Sequence, residues 1–130
     1  MPTRVTSSAK LFIALGAVFG AIAVGFGAFG AHALRARLSV EMLAVYQTGV
    51  QYHFWHALGI LAVGVVCLQL PANAWLRAAG WLLAAGIVLF SGSLYALSLS
   101  GERWLGAITP AGGLAFILGW LALGIGVLRT

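Results

Sequence analysis

Four long apolar runs, joined by short segments that carry most of the charged residues, constrain what this chain can form. A bilayer core about 30 Å thick is crossed by roughly 20 helical residues, and each run is long enough to cross it. Backbone groups in lipid need partners within the protein, so helices are favoured over strands. The sequence therefore predicts an all-α integral membrane four-helix bundle with both termini on the same side. We expect a single transmembrane domain, residues 1–130, with helices at about 11–33, 43–70 (its membrane part about 52–70), 76–98 and 110–128.

The composition of the chain also indicates a lipid environment. Hydrophobic residues make up 62% of the chain and charged residues 7%, whereas a soluble domain has about 45–50% apolar and about 25% charged residues. The net charge is +5, but the basic residues are scattered between the apolar runs and form no stripe with interleaved aromatic residues. We therefore expect membrane lipid as a partner and no nucleic acid.

The first apolar run begins after Lys10 and ends at Ala31-His32-Ala33, a sequence that imitates a signal-peptide cleavage site. Signal-peptide cores are about 7–15 residues long and this run has about 20, so we expect a retained helix. With an even number of helices, the basic residues on the terminal side outnumber those on the other side by one, which favours cytoplasmic termini. The terminal side has Arg4, Lys10, Arg77 and Arg129, and the other side has Arg35, Arg37 and Arg103.

Small residues recur at helical spacing in the first helix. Gly16 and Gly20 form a GxxxG pair, and a parallel stripe contains Ala17, Ala21 and Gly25. Such stripes let helix backbones approach closely in lipid, where no hydrophobic force drives helices together. We expect packing within the bundle, with self-association of two chains through the first helix as the alternative.

Polar residues gather near one end of the predicted bundle. Threading the helices in order brings the end of the first, the start of the second, the end of the third and the start of the fourth into one leaflet. We expect a shared polar layer there, because the other leaflet is almost entirely apolar. The candidate ligand or polar-layer residues are His32, Tyr46, Gln47, Gln51, His53, His56, Ser91, Ser93, Tyr95 and Thr109.

The helical period divides the polar residues of the second helix between two faces. Tyr46, His53 and His56 share one face. Gln47 and Gln51 lie on the other side.

Two further residues mark helix starts: Ser39 is the predicted N-cap of the second helix, and Thr109, followed by Pro110, is the predicted N-cap of the fourth.

The histidines support two hypotheses. His53 and His56 are i,i+3 neighbours with Cβ atoms roughly 5–6 Å apart, and His32 adds a third nitrogen from the first helix. Imidazole suits zinc, copper and haem iron, so one hypothesis is a metal or haem site on these three residues. The favoured interpretation is hydrogen bonding between helices or at the headgroup boundary, with no cofactor.

Four blocks of the sequence together resemble a known family. They are "GAFGAHAL" (27–34), "YQTGVQYHFWHAL" (46–58), "AGIVLFSGSLYAL" (85–97) and "LGAITPAGGLAFILGW" (105–120). The chain resembles the YgdD-like family, small four-helix proteins of the bacterial inner membrane, with eukaryotic transmembrane relatives, that are classed as of unknown function. The resemblance implies four membrane helices and no signal cleavage. It implies no established activity, substrate or cofactor.

No catalytic motif is present: there is no G-x-S-x-G, no P-loop and no Ser/His/Asp set with an acid in the membrane. We therefore expect a non-enzymatic membrane protein, acting as an accessory subunit or as a lipid- or partner-binding bundle. It would work as a homo-oligomer or within a larger membrane complex, with Arg35, Arg37 and Arg103 near lipid headgroups. The alternatives are a metal- or haem-binding protein and an oligomeric small transporter or channel. Both acids, Glu41 and Glu102, lie outside the apolar spans, which disfavours the transporter.

Overall fold

The computed structural model describes residues 5–130, and this part of the chain forms four helical segments that are long and apolar enough to cross a membrane. No β-strand occurs within residues 5–130. The predicted all-α four-helix membrane fold is confirmed. Arg4, which the orientation argument uses, lies outside the described residues. The segments are α1 (Ser7–Leu34), α2 (Val40–Gln69), α3 (Ala74–Ser100) and α4 (Arg103–Leu128).

The helix starts are fixed by side-chain caps. Thr6 accepts a hydrogen bond from the Ala9 backbone N–H at 3.2 Å, so α1 begins ahead of the apolar run. Ser39 accepts from the Met42 N–H at 3.1 Å, which confirms the predicted cap of α2. Because α2 is continuous from that cap to Gln69, its polar first turns are an extension of the membrane helix.

The four segments pack as two hairpins. α1 lies along α2, and α3 lies along α4, and the most extensive contacts of the bundle are within these two pairs. Contacts between α2 and α3 hold the hairpins together, so α2 is the central helix. The core runs through this interface, where the side chains of Phe12, Ile60, Val63, Leu76, Leu83 and Phe116 are buried.

Glycines set the distance between α1 and α2. A Cβ atom at Gly16 would lie 2.7 Å from the Leu61 backbone N, and one at Gly64 would lie 2.6 Å from the Ile13 backbone N. These backbones leave no room for a side chain, so the predicted packing of small residues within the bundle is confirmed at Gly16. Gly20, the other half of the GxxxG pair, has open space where its Cβ would be.

Two π turns interrupt the odd-numbered helices, and the sequence analysis did not predict them. One closes α1 at Gly30–Leu34, and the other lies inside α3 at Ile87–Ser91. Single π turns are uncommon in helices and are frequent at functional sites. Both turns face α2 at the polar end of the bundle: the Gly30 backbone lies against the Tyr46 ring, and Ser91 contacts the Gly49 carbonyl.

At the opposite end of the bundle, Asn73 holds α3 and α4 together. Asn73 is the N-cap of α3, since its Oδ1 accepts from the Leu76 N–H at 3.0 Å. Its Nδ2 donates to the Gly126 carbonyl in α4, also at 3.0 Å. One side chain therefore joins the start of α3 to the end of α4.

Candidate functional site

Hydrogen bonds between helices connect six of the predicted polar residues at one end of the bundle. We call this set the polar layer: Tyr46, His53, Ser91, Ser93, Tyr95 and Thr109. The Tyr46 hydroxyl donates to the Phe26 carbonyl of α1 at 2.6 Å. Ser91, which is fully buried, donates to the Gly49 carbonyl of α2 at 2.7 Å. Each bond ties a neighbouring helix to α2 and gives a polar group in lipid a partner.

His53 lies at the centre of the polar layer, with only 3% of its surface exposed. Its Nδ1 is 2.8 Å from the Tyr95 hydroxyl of α3. Its Nε2 has no hydrogen-bond partner among the residues that the structure describes. Phe19 and Phe26 of α1 pack edge-on against the imidazole, with ring centroids 5.9 and 6.2 Å away. The ring is therefore enclosed between α1, α2 and α3.

Ser93 and Thr109 join α3 to α4. Their hydroxyl oxygens are 2.6 Å apart, and the Ser93 hydroxyl is also 2.9 Å from the Phe90 carbonyl. Since that carbonyl only accepts, Ser93 donates to it and Thr109 donates to Ser93.

The prediction that Thr109 is an N-cap was wrong. The chain enters the α-helix from a 3-10 turn, and Ile108 already has helical backbone angles. An N-cap residue has an extended backbone and a side chain that accepts from the first turn, and no such residue stands at this helix start.

His56 contacts a different helix from His53. Its Nδ1 is 2.7 Å from the Tyr52 carbonyl of its own helix. Its ring stacks on Phe116 of α4, with centroids 3.5 Å apart and planes 11° apart. This stack forms one wall of a cleft of about 530 Å³ between α2, α3 and α4. We call it the aromatic cleft; its lining residues are Tyr52, His56, Phe90, Pro110, Gly113, Leu114, Phe116, Ile117 and Trp120.

The structure does not bring His32, His53 and His56 together. His32 is exposed in the π turn that ends α1. Within residues 5–130 no group of three His, Cys, Asp or Glu side chains is close enough to hold a metal ion. The three histidines therefore do not form the shared metal site that one of the two hypotheses placed on them. The physical reason is that residues three apart on a helix point about 60° apart, so around the central α2 they meet different neighbouring helices.

Gln47 and Gln51 face away from the polar layer, as the helical period predicts. They line a groove of about 820 Å³ between α1 and α2, which we call the α1/α2 groove. Its α1 side consists of small residues and one valine: Ala23, Val24, Gly27, Ala28 and Gly30. Its α2 side is larger and more polar: Ala44, Tyr46, Gln47, Thr48, Val50, Gln51, Phe54 and Trp55.

Three arginines are exposed at this end of the molecule. Arg35 and Arg37 lie in the connection between α1 and α2, next to the last turns of α1 that line the groove. Arg103 is exposed at the start of α4. Because all three side chains are exposed, their guanidinium groups can meet an anionic group from outside the chain.

Sequence reasoning missed the aromatic cleft. A signal was present, because Phe116 and Trp120 are i,i+4 neighbours and share a helix face with Gly112. The glycine is the reason for the close approach of α3: a Cβ at Gly112 would clash with the Phe90 backbone. The spacing indicates a face with two rings, but only the fold shows that His56 of α2 lies against it.

Comparison with known proteins places the chain in a family. A family model described as "Protein of unknown function (DUF423)" matches residues 26–113. The "UPF0382 membrane protein YwdK" of Bacillus subtilis is 49% identical over 120 residues, which is 92% of this chain and 98% of that protein. The "UPF0382 membrane protein SSP2132" of Staphylococcus saprophyticus is 50% identical over 120 residues, again 92% of this chain and 98% of the relative.

A more distant relative connects the chain to the family that its sequence blocks resemble. The "UPF0382 inner membrane protein YgdD" of Escherichia coli K12 is 38% identical over 122 residues, which is 94% of this chain and 92% of that protein. No solved structure matches the chain significantly. The predicted resemblance and the inner-membrane localisation are confirmed. This chain is an integral membrane protein that belongs to the DUF423/UPF0382 family of membrane proteins of unknown function.

Proposed function

We propose that this protein is a non-enzymatic lipid-binding membrane protein and that the α1/α2 groove holds a phospholipid. The observation that supports this proposal is the groove itself: about 820 Å³ of space with small residues on one side and exposed amides on the other. Pockets of about 300–1,000 Å³ with mainly apolar walls and a few polar groups are typical ligand sites. The small residues of α1 leave room for an acyl chain against the helix.

The amides in the groove support a ligand with a polar part. Gln47 and Gln51 lie on an exposed face of α2, one turn apart, and Thr48 lies beside them. An amide group in hydrocarbon costs free energy unless it finds a hydrogen-bond partner. The ester and glycerol oxygens of a phospholipid can accept hydrogen bonds from the amide N–H groups. An alkyl chain alone has no such acceptors.

Charge favours an anionic headgroup over a neutral one. Arg35 and Arg37 lie in the loop at the polar end of the groove, and the net charge of the chain is +5. Glu41, in the first turn of α2, is the acid nearest to them in sequence. A basic residue near an anionic membrane surface contributes about 1 kcal/mol. Two arginines and one acid leave a net positive loop for a phosphate.

The buried hydroxyl groups support a non-enzymatic role. Ser91 and Ser93 are buried, and both hydroxyls donate to backbone carbonyls. Thr109 is held against Ser93. Groups committed to joining helices are poor nucleophiles, because a reaction would break the bonds that hold the bundle. We propose that these residues are structural.

Lipid retention tests the proposal. The protein is extracted in a mild detergent, and the retained phospholipid is measured by native mass spectrometry. Ala28→Phe fills the groove from an exposed position, and Arg35→Gln with Arg37→Gln removes the headgroup charges. We expect both changes to reduce retained anionic phospholipid, with Arg129→Gln, at the other end of the bundle, as the control. Equal retention by all variants would contradict the proposal.

A second role, self-association, is supported by the exposure of α1. The most apolar window of this segment is 17% buried, the lowest of the four. Ala17, Ala21 and Gly25 form an exposed small-residue stripe away from α2, which suits close contact with another helix. We propose this face for a second copy of the chain. Cross-linking in native membranes tests it, since Ala21→Leu would abolish a dimer formed through this stripe; a dimer that persists would contradict the role.

A further inference from the structure

We propose that the aromatic cleft binds a membrane-soluble phenol or hydroquinone, whose hydroxyl donates a hydrogen bond to Nε2 of His56. This site is separate from the α1/α2 groove. It lies on a different face of α2, between α2, α3 and α4, and shares no lining residue with the groove. The inference therefore stands independently of the lipid-binding function proposed above.

The tautomer of His56 is set by its own helix. Nδ1 is 2.7 Å from the Tyr52 carbonyl oxygen, which only accepts hydrogen bonds, so Nδ1 carries the proton. In the neutral imidazole the other nitrogen then has a lone pair and no proton. Stacking on Phe116 at 3.5 Å holds the ring in this orientation. Nε2 of His56 is therefore a fixed acceptor.

This acceptor opens into the cleft. His56 is 6% exposed and is one of the cleft-lining residues. Its Nε2 makes no hydrogen bond within the described part of the chain. Among the described residues, one fully buried side-chain nitrogen or oxygen has no hydrogen-bond partner, and that atom is Nε2 of His53, not Nε2 of His56. Nε2 of His56 thus keeps accessible surface, and because His56 lines the cleft we infer that this surface opens into it. A nearly buried acceptor on the wall of an apolar cleft is satisfied when a ligand in the cleft supplies a hydrogen-bond donor.

The walls of the cleft select a flat ring. Tyr52 and Phe90 have ring centroids 4.6 Å apart, Phe90 and Phe116 are 5.4 Å apart, and His56 and Trp120 are 5.9 Å apart. Aromatic groups stack on one another or meet edge to face at such distances. A volume of about 530 Å³ is enough for a substituted ring and the first part of a tail.

The rim of the cleft faces the membrane. Leu114 and Ile117 line it and are 56% and 58% exposed, on an α4 face with no protein cover in the described chain. In a bilayer this face meets hydrocarbon, so a ligand reaches the cleft from the side and must be soluble in lipid. A phenol or hydroquinone with an apolar tail has this solubility and supplies the hydroxyl donor.

Other ligands fit the cleft less well. A phospholipid phosphate needs donors and positive charge, and the lining contains no Lys or Arg. A metal ion needs several ligands, and His56 is the one imidazole in the lining. An oxidised quinone has carbonyl acceptors, which do not pair with the lone pair of Nε2. The geometry therefore predicts a preference for the reduced form.

Calorimetric titration in lipid nanodiscs tests this inference on the full-length protein. The probes are a decyl-substituted hydroquinone, its dimethyl ether and the corresponding quinone. The ether keeps the ring and the tail but has no donor. We expect saturable binding of the hydroquinone, with affinity about tenfold higher than for the ether or the quinone, because one hydrogen bond separates them. Equal affinities for the three probes, or uptake that does not saturate, would overturn the inference.

Variants identify the site. His56→Phe keeps an aromatic ring against Phe116 and removes the acceptor, so the preference for the hydroquinone over the ether is lost. Gly113→Leu fills the cleft, since a Cβ at this position is already 3.8 Å from the Phe90 ring, and we expect it to abolish binding of all three probes. His32→Phe is the matched control, because His32 is exposed and outside the cleft. A preference that survives His56→Phe would also overturn the inference, and the comparison of probes on the unmodified chain decides the matter if that variant does not fold.

Discussion

His53 and Tyr95 form the one hydrogen bond in the described residues that joins a side chain of α2 to a side chain of α3, with Nδ1 and the hydroxyl oxygen 2.8 Å apart. The contact lies beside the ring of Tyr46, whose centroid is 5.2 Å from that of Tyr95. Nε2 of His53 has no hydrogen-bond partner in the described residues, so the Tyr95 hydroxyl is the one side chain there that hydrogen-bonds to the imidazole.

Tyr95→Phe is therefore expected to destabilise the bundle. Hydrogen bonds between membrane helices contribute about 0.6 kcal/mol on average and about 1.7 kcal/mol at most. We expect a loss in the upper half of that range, because His53 would be left with two unpaired nitrogens. Unfolding in mixed detergent measures the change. The control is Ser100→Ala, an exposed hydroxyl that bonds to its own helix; an equal loss in both variants would contradict the role of the contact.

The close approach of α1 and α2 predicts different effects at the two glycines of the GxxxG pair. Gly16→Ala places a Cβ 2.7 Å from the Leu61 backbone N, and we expect it to lower stability by about 1–3 kcal/mol, as overpacking does. Gly20→Ala meets nothing within 4 Å and should be neutral or stabilising by up to about 1 kcal/mol, because alanine is the better helix former. Thermal unfolding in detergent compares the two, and equal losses would show that the helices do not pack as described.

Asn73 has two separable roles that two substitutions distinguish. Asn73→Ala removes both the cap on Leu76 and the bond to the Gly126 carbonyl, and we expect a loss of about 1–2 kcal/mol. Asn73→Asp keeps the capping oxygen and removes the donor, so it should lose less. The same unfolding assay measures both. A larger loss for the aspartate variant would contradict this assignment.

Substitutions at Thr109 distinguish a hydrogen bond to Ser93 from an N-cap. If Thr109 bonds to Ser93, the effects of substituting the two residues on stability are coupled, whereas the effect of removing an N-cap would be independent of Ser93. In a double-mutant cycle of Thr109→Val and Ser93→Ala, we expect a coupling of about 0.5–1.5 kcal/mol. Thr109→Ser keeps the hydroxyl and should be close to the unmodified protein. Additive effects of the two substitutions would contradict the 2.6 Å contact.

The sequence was sufficient to predict the parts of the fold that follow from length and period. Apolar runs of about 20 residues predict the number of helices, and the helical period correctly predicted that His53 and His56 lie on a different face of α2 from Gln47 and Gln51. The number of helices and the face on which a residue lies depend only on the sequence of each helix, not on how the helices pack together.

The partners of each residue could not be predicted in the same way. His56 meets Phe116 and His53 meets Tyr95 because α2 is surrounded by other helices, and a small rotation of α2 would exchange those partners. The π turn at Ile87–Ser91 adds to this, because it changes which residues of α3 face α2 beyond it. The π turn at Gly30–Leu34 changes how the last residues of α1 meet α2. No composition signal in these five-residue stretches distinguishes a π turn from an ordinary helical turn.

The central claim is that the chain crosses the membrane four times and that the polar layer lies toward the loops after α1 and α3. Single cysteines in a Cys67→Ala background test it, with a membrane-impermeant thiol reagent applied to oriented vesicles. Suitable positions are Arg37, Ala74, Glu102 and Thr130, which are all exposed. The account predicts that Arg37→Cys and Glu102→Cys react from one side, and Ala74→Cys and Thr130→Cys from the other. Reaction of positions 37 and 102 from opposite sides, or of 37 and 74 from the same side, would contradict it.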